Sequence, residues 1–86
     1  MYKILIKKKA EKQLAALTLE IADRIALAID ALAINPRPAN NKKLQGYTNV
    51  YRIRAGNYRI IYSVEDAILT IEVIKIGHRK DVYNHL

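Results

Sequence analysis

Arg52, Arg54 and Arg59 fall in a stretch whose hydropathy alternates with a period of two, and their spacing sets them on one side of a β-hairpin. With Gly56-Asn57 as a two-residue Gly-X turn, Ala55 faces Tyr58, Arg54 faces Arg59, Ile53 faces Ile60 and Arg52 faces Ile61. Side chains alternate between faces along a strand. The arginines therefore share one face, and Tyr51, Ile53, Tyr58, Ile60 and Tyr62 share the other. Like charges directly opposed on paired strands cost roughly 0.2–1 kcal/mol. Glu72, diagonal to Arg59 in the expected register, offsets only part of that. A guanidinium is a planar fork that makes paired, charge-assisted hydrogen bonds and stays charged at neutral pH, so the cluster reads as a preformed anion site suited to phosphate. The alternative is a solvated sheet face with scattered arginines.

The segment His78-Arg79-Lys80-Asp81-Val82-Tyr83 leaves the last strand beside Arg59, so Arg79 and the Tyr83 hydroxyl can reach the same patch. His78 is a possible acid or base because imidazole titrates near neutrality, although a histidine after Gly77 equally suits a turn. Lys8, Lys9 and Lys12, with Lys42 and Lys43, are candidates for non-specific contact with a nucleic-acid backbone, against ordinary surface solvation. Tyr47 can stack on a base, though loop anchoring suits it better.

The elements that position these groups follow from periodicity. Residues 2–6 read as a strand, and Ala10 to Leu17 as a helix with Leu14 and Leu17 on one face. Thr18 is the expected N-cap of a second helix reaching about Ile34, whose buried stripe is Ile21, Ile25, Ala28, Ile29 and Leu32. Asn35-Pro36-Arg37-Pro38 ends it. Residues 36–48 read as polar loop. Strands are expected at 50–54, 58–64 and 68–76, with Asp66-Ala67 as a second two-residue turn that pairs Val64 with Leu69, Tyr62 with Ile71 and Ile60 with Val73. The fold class is α+β: an N-terminal strand, a two-helix hairpin and a three-stranded antiparallel meander, in one small sheet with the helices on one face.

The chain has 86 residues, enough for one domain over 1–86 with a modest core. Hydrophobic residues make up 51 % and charged residues 27 %, as in ordinary globular proteins. With no cysteine and only His78 and His85, disulfides and thiolate metal sites are excluded and a zinc site is unsupported, so neither metal nor cofactor is expected. Charged residues interrupt every apolar run, so no membrane span is expected, and a cytoplasmic location is the default. The net charge of +7 favours an anionic partner: nucleic acid, an acidic protein or a lipid surface.

The stretches Leu44-Gln45-Gly46, Tyr51-Arg52-Ile53-Arg54-Ala55-Gly56-Asn57-Tyr58-Arg59-Ile60-Ile61-Tyr62 and Ile76-Gly77-His78-Arg79-Lys80-Asp81-Val82-Tyr83 together resemble RelE-type toxins of the RelE/ParE superfamily. With the order of elements, the resemblance spans nearly the whole chain. It implies the toxin of a type II toxin–antitoxin pair, an endoribonuclease that cuts messenger RNA in the A site of the 30S ribosomal subunit, and a cognate antitoxin protein encoded beside it. It further implies a catalytic set of Arg52, Arg54, Arg59, Arg79 and Tyr83. No metal is required when the 2′-hydroxyl attacks the adjacent phosphorus. Arg59 and Arg79 then stabilise the transition state, Arg52 and Arg54 hold the backbone and help activate the 2′-hydroxyl, and Tyr83 acts as general base. Some members carry lysine where Arg52 and Arg54 stand, which puts a lysine-type proton-transfer role there in doubt. The competing expectations are a ParE-like inhibitor of DNA gyrase and a non-catalytic RNA- or ribosome-binding module.

Overall fold

The computed structural model describes residues 1–82, so Tyr83 and His85 lie outside the described residues. The elements are β1 (Lys3–Ile6), α1 (Lys8–Ala15), α2 (Leu19–Leu32), β2 (Lys42–Lys43), β3 (Val50–Ala55), β4 (Tyr58–Glu65) and β5 (Thr70–His78). They form one five-stranded sheet in the order β1-β5-β4-β3-β2, with β1 parallel to β5 and every other pair antiparallel. The α+β class and the meander are as expected, but the meander is the centre of a larger sheet. β2 lies in what reads as loop, because two lysines carry no periodic signal.

The helices cover one face. Ile25, Ile29 and Leu32 of α2 are buried against Ile53, Ile60, Tyr62, Val64, Ile71, Val73 and Ile76, and Leu14, Leu17, Ile21 and Ala28 pack around them. Burying such a side chain contributes about 1.5–3 kcal/mol. Ala10 is fully buried, so α1 lies close to the sheet. Where β1 stops short of the end of β5, the Gln13 side-chain carbonyl accepts from the Ile76 amide at 2.8 Å and satisfies that open edge. Thr18 stands at the N-cap of α2 as expected, but its hydroxyl makes no capping hydrogen bond. α2 stops at Leu32, with Ala33 as C-cap, two residues before the expected end.

The register of β3 on β4 is the expected one throughout. That of β4 on β5 differs. In place of a two-residue turn, Asp66–Ile68 form a single 3-10 turn and Leu69 takes a left-handed conformation at φ 48°. Two-residue hairpin turns need positive φ at their central residues, which Asp66 and Ala67 supply poorly. Val64 therefore faces Ile71 and Tyr62 faces Val73. The slip is by an even number of residues, so the apolar face is preserved. A bulge then intervenes between Ile61 and Tyr62, and Ile61 faces Lys75 while Ile60 faces Ile76.

A polar clamp closes the end of the sheet away from the β3–β4 hairpin. Arg37 donates to both Asp66 carboxylate oxygens, at 2.8 and 3.3 Å, and from Nε to the Tyr51 hydroxyl at 3.1 Å. Tyr2 donates to Asp66 at 2.6 Å, and Tyr62 to the Pro36 carbonyl at 2.7 Å. Arg37, then Tyr2, holds the Asp66 carboxyl below its ordinary range. Burial pushes the Tyr62 phenol up to about 12, so it stays a donor. The N-terminus, the loop after α2 and the β4–β5 turn are thereby tied together.

A candidate phosphate-binding site on the open sheet face

The pairings lay the face opposite the helices out in rows. Arg54, Arg59 and Gly77 form the row nearest the β3–β4 turn. Lys42, Arg52, Ile61 and Lys75 form the next, and Val50, Ser63, Glu72 and Leu5 the one beyond. Adjacent strands stand roughly 4.8 Å apart and same-face neighbours about 7 Å along a strand, so Arg52, Arg54 and Arg59 occupy one patch. Arg59 is held in place: its Nη1 donates to the Gly56 carbonyl at 3.1 Å and the Tyr58 carbonyl at 3.0 Å. Gly56 has φ +62°, and a Cβ added there would come 3.1 Å from Nη1 of Arg24. The positive φ favours glycine at this turn, while the flexible end of Arg24 can shift to admit a Cβ, and α2 thereby brings a further cation to the hairpin tip.

The expected relief of Arg59 by Glu72 is a correction. Glu72 faces Ser63, two same-face rows from Arg59, because the longer β4–β5 turn displaces it. Nor is the open face bare. Val50, Ile61 and Val82 form a second buried cluster, joined by Leu44 and Ile74. Val82 reaches it because the chain after β5 folds back. The Arg79 amide donates to the Asn57 carbonyl at 2.8 Å, and the Asp81 and Val82 amides both donate to the His78 carbonyl, at 2.8 and 3.0 Å. Val82 packs over Gly77, where an added Cβ would sit 3.5 Å from the Val82 Cα and Cβ, an ordinary contact distance. Arg79 and Lys80 are thus carried to the hairpin end of the arginine patch, as expected. Tyr83 follows the buried Val82 in sequence but lies outside the described residues.

His78 faces Tyr58, on the helix side of the sheet, and packs edge-on against that ring with centroids 5.7 Å apart. Its Nδ1 accepts from the Lys80 amide at 3.3 Å. These contacts suit a residue that braces the C-terminal turn. The lysine candidates divide. Lys42 opposes Arg52 and joins the cationic row, whereas Lys43 opposes Tyr51 and lies on the other side. Lys8, Lys9 and Lys12 line an open groove along α1 with Gln13 and Ala16. Tyr47 is about half exposed in the loop. Among the described residues no group of three or more His, Asp or Glu side chains is placed to hold a metal ion, and no helix is long and apolar enough to cross a membrane.

Sequence reasoning missed Lys75. The bulge puts Ile74 and Lys75 both on the open face, where strict alternation would have sent Lys75 towards the helices. Only 7 % of Lys75 is exposed. Burial, and next the charge of Lys9, hold its pKa below the ordinary lysine value, and Asp81 opposes them. No sequence signal marks the bulge, though an isolated lysine in an otherwise apolar strand was a visible anomaly.

Such a fold, two helices behind a five-stranded sheet whose other face carries Arg52, Arg54 and Arg59 in adjacent rows, defines a small α+β domain. The chain matches the model of the ParE toxin of type II toxin–antitoxin systems (parDE) over residues 4–83. It is 38 % identical to Toxin RelE3 of Methanocaldococcus jannaschii, covering 96 % of this chain and 97 % of that protein. Among solved structures it resembles the archaeal RelE–RelB complex of Pyrococcus horikoshii, with TM-score 0.82, 31 % identity and coverage of 94 % and 98 % of the two chains. It also resembles the intact RelBE toxin–antitoxin complex of Escherichia coli, with TM-score 0.78, 27 % identity and coverage of 91 % and 96 %. The chain belongs to the RelE/ParE family of type II toxins.

Proposed function

We propose that this toxin is a RelE-type endoribonuclease acting in the cytoplasm on messenger RNA in the ribosomal A site. The observation that carries the reading is the row of Arg54 and Arg59 opposed across the hairpin, with Arg52 beside them and Arg79 tied to the turn. Opposed cations are retained where an anion is to sit between them. In the reaction, the 2′-oxygen bonds to the adjacent phosphorus and the bond to the 5′-oxygen breaks, leaving a 2′,3′-cyclic phosphate and a 5′-hydroxyl. Arg59 and Arg79 meet the charge that builds on the non-bridging oxygens, and Arg52 and Arg54 hold the neighbouring backbone. Tyr83 takes the proton of the 2′-hydroxyl. The lysines of α1, with Lys42 and Lys43, contact ribosomal RNA phosphates. A cognate antitoxin is the protein partner, as RelB is for the RelE proteins in the similar crystal structures.

A ParE-like action on DNA gyrase is the second reading, favoured by the ParE description of the matching family model. It gives the arginine row no reaction to perform. The test is incubation with ribosomes programmed with a defined message, beside a gyrase assay for trapped DNA breaks. The expected result is a cut within the A-site codon with cyclic-phosphate ends, reduced about 10²–10³-fold by Arg59→Ala, as for loss of one preorganised donor. Intact message together with gyrase-dependent breaks would establish the alternative.

A further inference from the structure

The turn that carries Arg79 is organised around one residue. The His78 carbonyl accepts from the Asp81 and Val82 amides at 2.8 and 3.0 Å, and its Nδ1 accepts from the Lys80 amide at 3.3 Å. The carbonyl and the side chain of His78 thus take the amides of three successive residues. That is the arrangement at the N-cap of a helix, where the side chain accepts from an amide two or three residues on and the carbonyl accepts the first bond of the turn. Serine, threonine, aspartate and asparagine are the usual caps. A histidine can fill the role only while Nδ1 bears no proton, and imidazole is the side chain that ordinarily gains one between about pH 5 and 8.

We propose that His78 is a positioning residue, a cap that holds Arg79 at the arginine patch while its ring is neutral and releases it when the ring takes up a proton. For catalysis the inference rests on the reading of the protein as a ribonuclease. The ring itself stands apart from the reacting groups. His78 pairs with Tyr58, and the two rings meet edge-on at 5.7 Å on the helix side of the sheet, where Tyr58 packs on the main core. The arginine patch is on the other side. Arg79, the next residue, is exposed and tied by its amide to the Asn57 carbonyl at 2.8 Å, so the turn begun at His78 sets where its side chain leaves the sheet.

The surrounding charges reinforce the switch. Tyr58 faces the ring from β4, Arg79, Lys80 and Asp81 stand in the turn, and Arg24 of α2 reaches the neighbouring hairpin tip at Gly56. From α1, Gln13 is engaged by the Ile76 amide, and Lys9, like Asp81, acts on Lys75. A proton on Nδ1 removes the acceptor and turns a donor towards the Lys80 amide. It also adds a cation where the first amides of a turn point, the end at which positive charge is unfavourable. The cap is therefore present while the imidazole is neutral and is lost as pH falls.

Amide hydrogen exchange in the intact toxin between about pH 5 and 8, with single-turnover cleavage on programmed ribosomes, tests this. Protection, corrected for the intrinsic effect of pH on exchange, should fall about fivefold at Lys80, Asp81 and Val82 towards acid, the effect of a typical cap. The amides of β4 should keep theirs, which also shows that the fold is intact. His78→Asn retains an acceptor two residues before the Lys80 amide. It should hold the protection level across the range and cut at close to the unsubstituted rate at the alkaline end. Titrations shared by the two proteins cancel, so the ratio of unsubstituted to His78→Asn cleavage should fall towards acid. His78→Leu should lose the protection at every pH. Protection in the unsubstituted toxin that ignores pH, or full protection in His78→Leu, overturns the cap. A His78→Asn toxin with a docked turn that cuts about 10²-fold more slowly overturns it too, because the ring would then belong to the proton transfers. A level ratio of rates overturns the link to Arg79. If the unsubstituted toxin cuts no message while its turn loosens in acid as described, the cap stands and the ribonuclease reading falls.

Discussion

Val82→Ala separates delivery of Arg79 from its chemistry. Val82 is fully buried, but in the small cluster with Val50 and Ile61, apart from the main core. Truncation removes two methyl groups, and about 0.8 kcal/mol per buried carbon gives a loss of roughly 1.6 kcal/mol. At 1.4 kcal/mol per tenfold, the docking constant of the C-terminal turn falls about 15-fold. The docked turn has little margin. It gains roughly 1.5–3 kcal/mol from Val82 and about 1 kcal/mol from the bond between Arg79 and Asn57, against about 1–2 kcal/mol for ordering each residue. Amide hydrogen exchange should therefore show protection falling by up to that factor at Arg79 and Val82, with the amides of β4 unchanged. Single-turnover cleavage should fall with it, and Arg79→Ala should cost less in the Val82→Ala background than alone. Gly77→Ala is the control. Its new Cβ would lie 3.5 Å from Val82, an ordinary contact, and should leave the turn docked. Unchanged protection at Arg79 in Val82→Ala, or a loss spread equally over β4, would refute the idea of a locally docked turn.

Two further outcomes follow from the charges. Arg54→Thr removes one of two directly opposed cations and should raise stability by about 0.2–1 kcal/mol in urea unfolding while lowering cleavage; a destabilised variant would mean that the pair is neutralised within the chain. Asp66→Asn should lower the melting temperature at neutral pH. Because Arg37 and Tyr2 depress the folded-state pKa of Asp66, its contribution is present above the ordinary carboxylate range and is lost as pH falls through the depressed value, so the two melting curves should converge in acid. A gap that stays constant down to about pH 2 would show that the ion pair adds nothing.

The hairpin was legible because three constraints agreed: a Gly-X turn, a period of two and an apolar face that tolerates no slip by one residue. The stripe on α2 was legible because Ile25, Ile29 and Leu32 repeat at helical spacing. The β4–β5 register was misread for a physical reason. A 3-10 turn with Leu69 at positive φ has no sequence signature comparable to Gly-X, and neither has the bulge beside Lys75, which leaves Ile76 in the main core. From those two features come both errors at the site, the misplacement of Glu72 and the omission of Lys75. Arg37 and Asp66 were missed as a pair because they lie 29 residues apart and meet only once the sheet has formed.

The distribution of acidic groups decides between a purposeful cationic face and a surface with a chance excess of arginine. A chain of net charge +7 with eight acidic residues has enough carboxylates to pair with every arginine on the sheet. Several of them stand elsewhere: Asp66 is engaged by Arg37 at the far end of β4, Glu20, Asp23 and Asp30 are exposed on α2, and Glu72 is two same-face rows from Arg59. Asp81 acts on Lys75. Arg59 instead donates to backbone carbonyls, which fix its direction while leaving its charge uncancelled. Stability rests chiefly on the helix-covered core, the exposed clamp adding modestly, and the opposed arginines can remain a source of repulsion at the other end of the sheet. On the proposed reading, an entering phosphate relieves that repulsion, which directs binding energy to the place where the bond is to break.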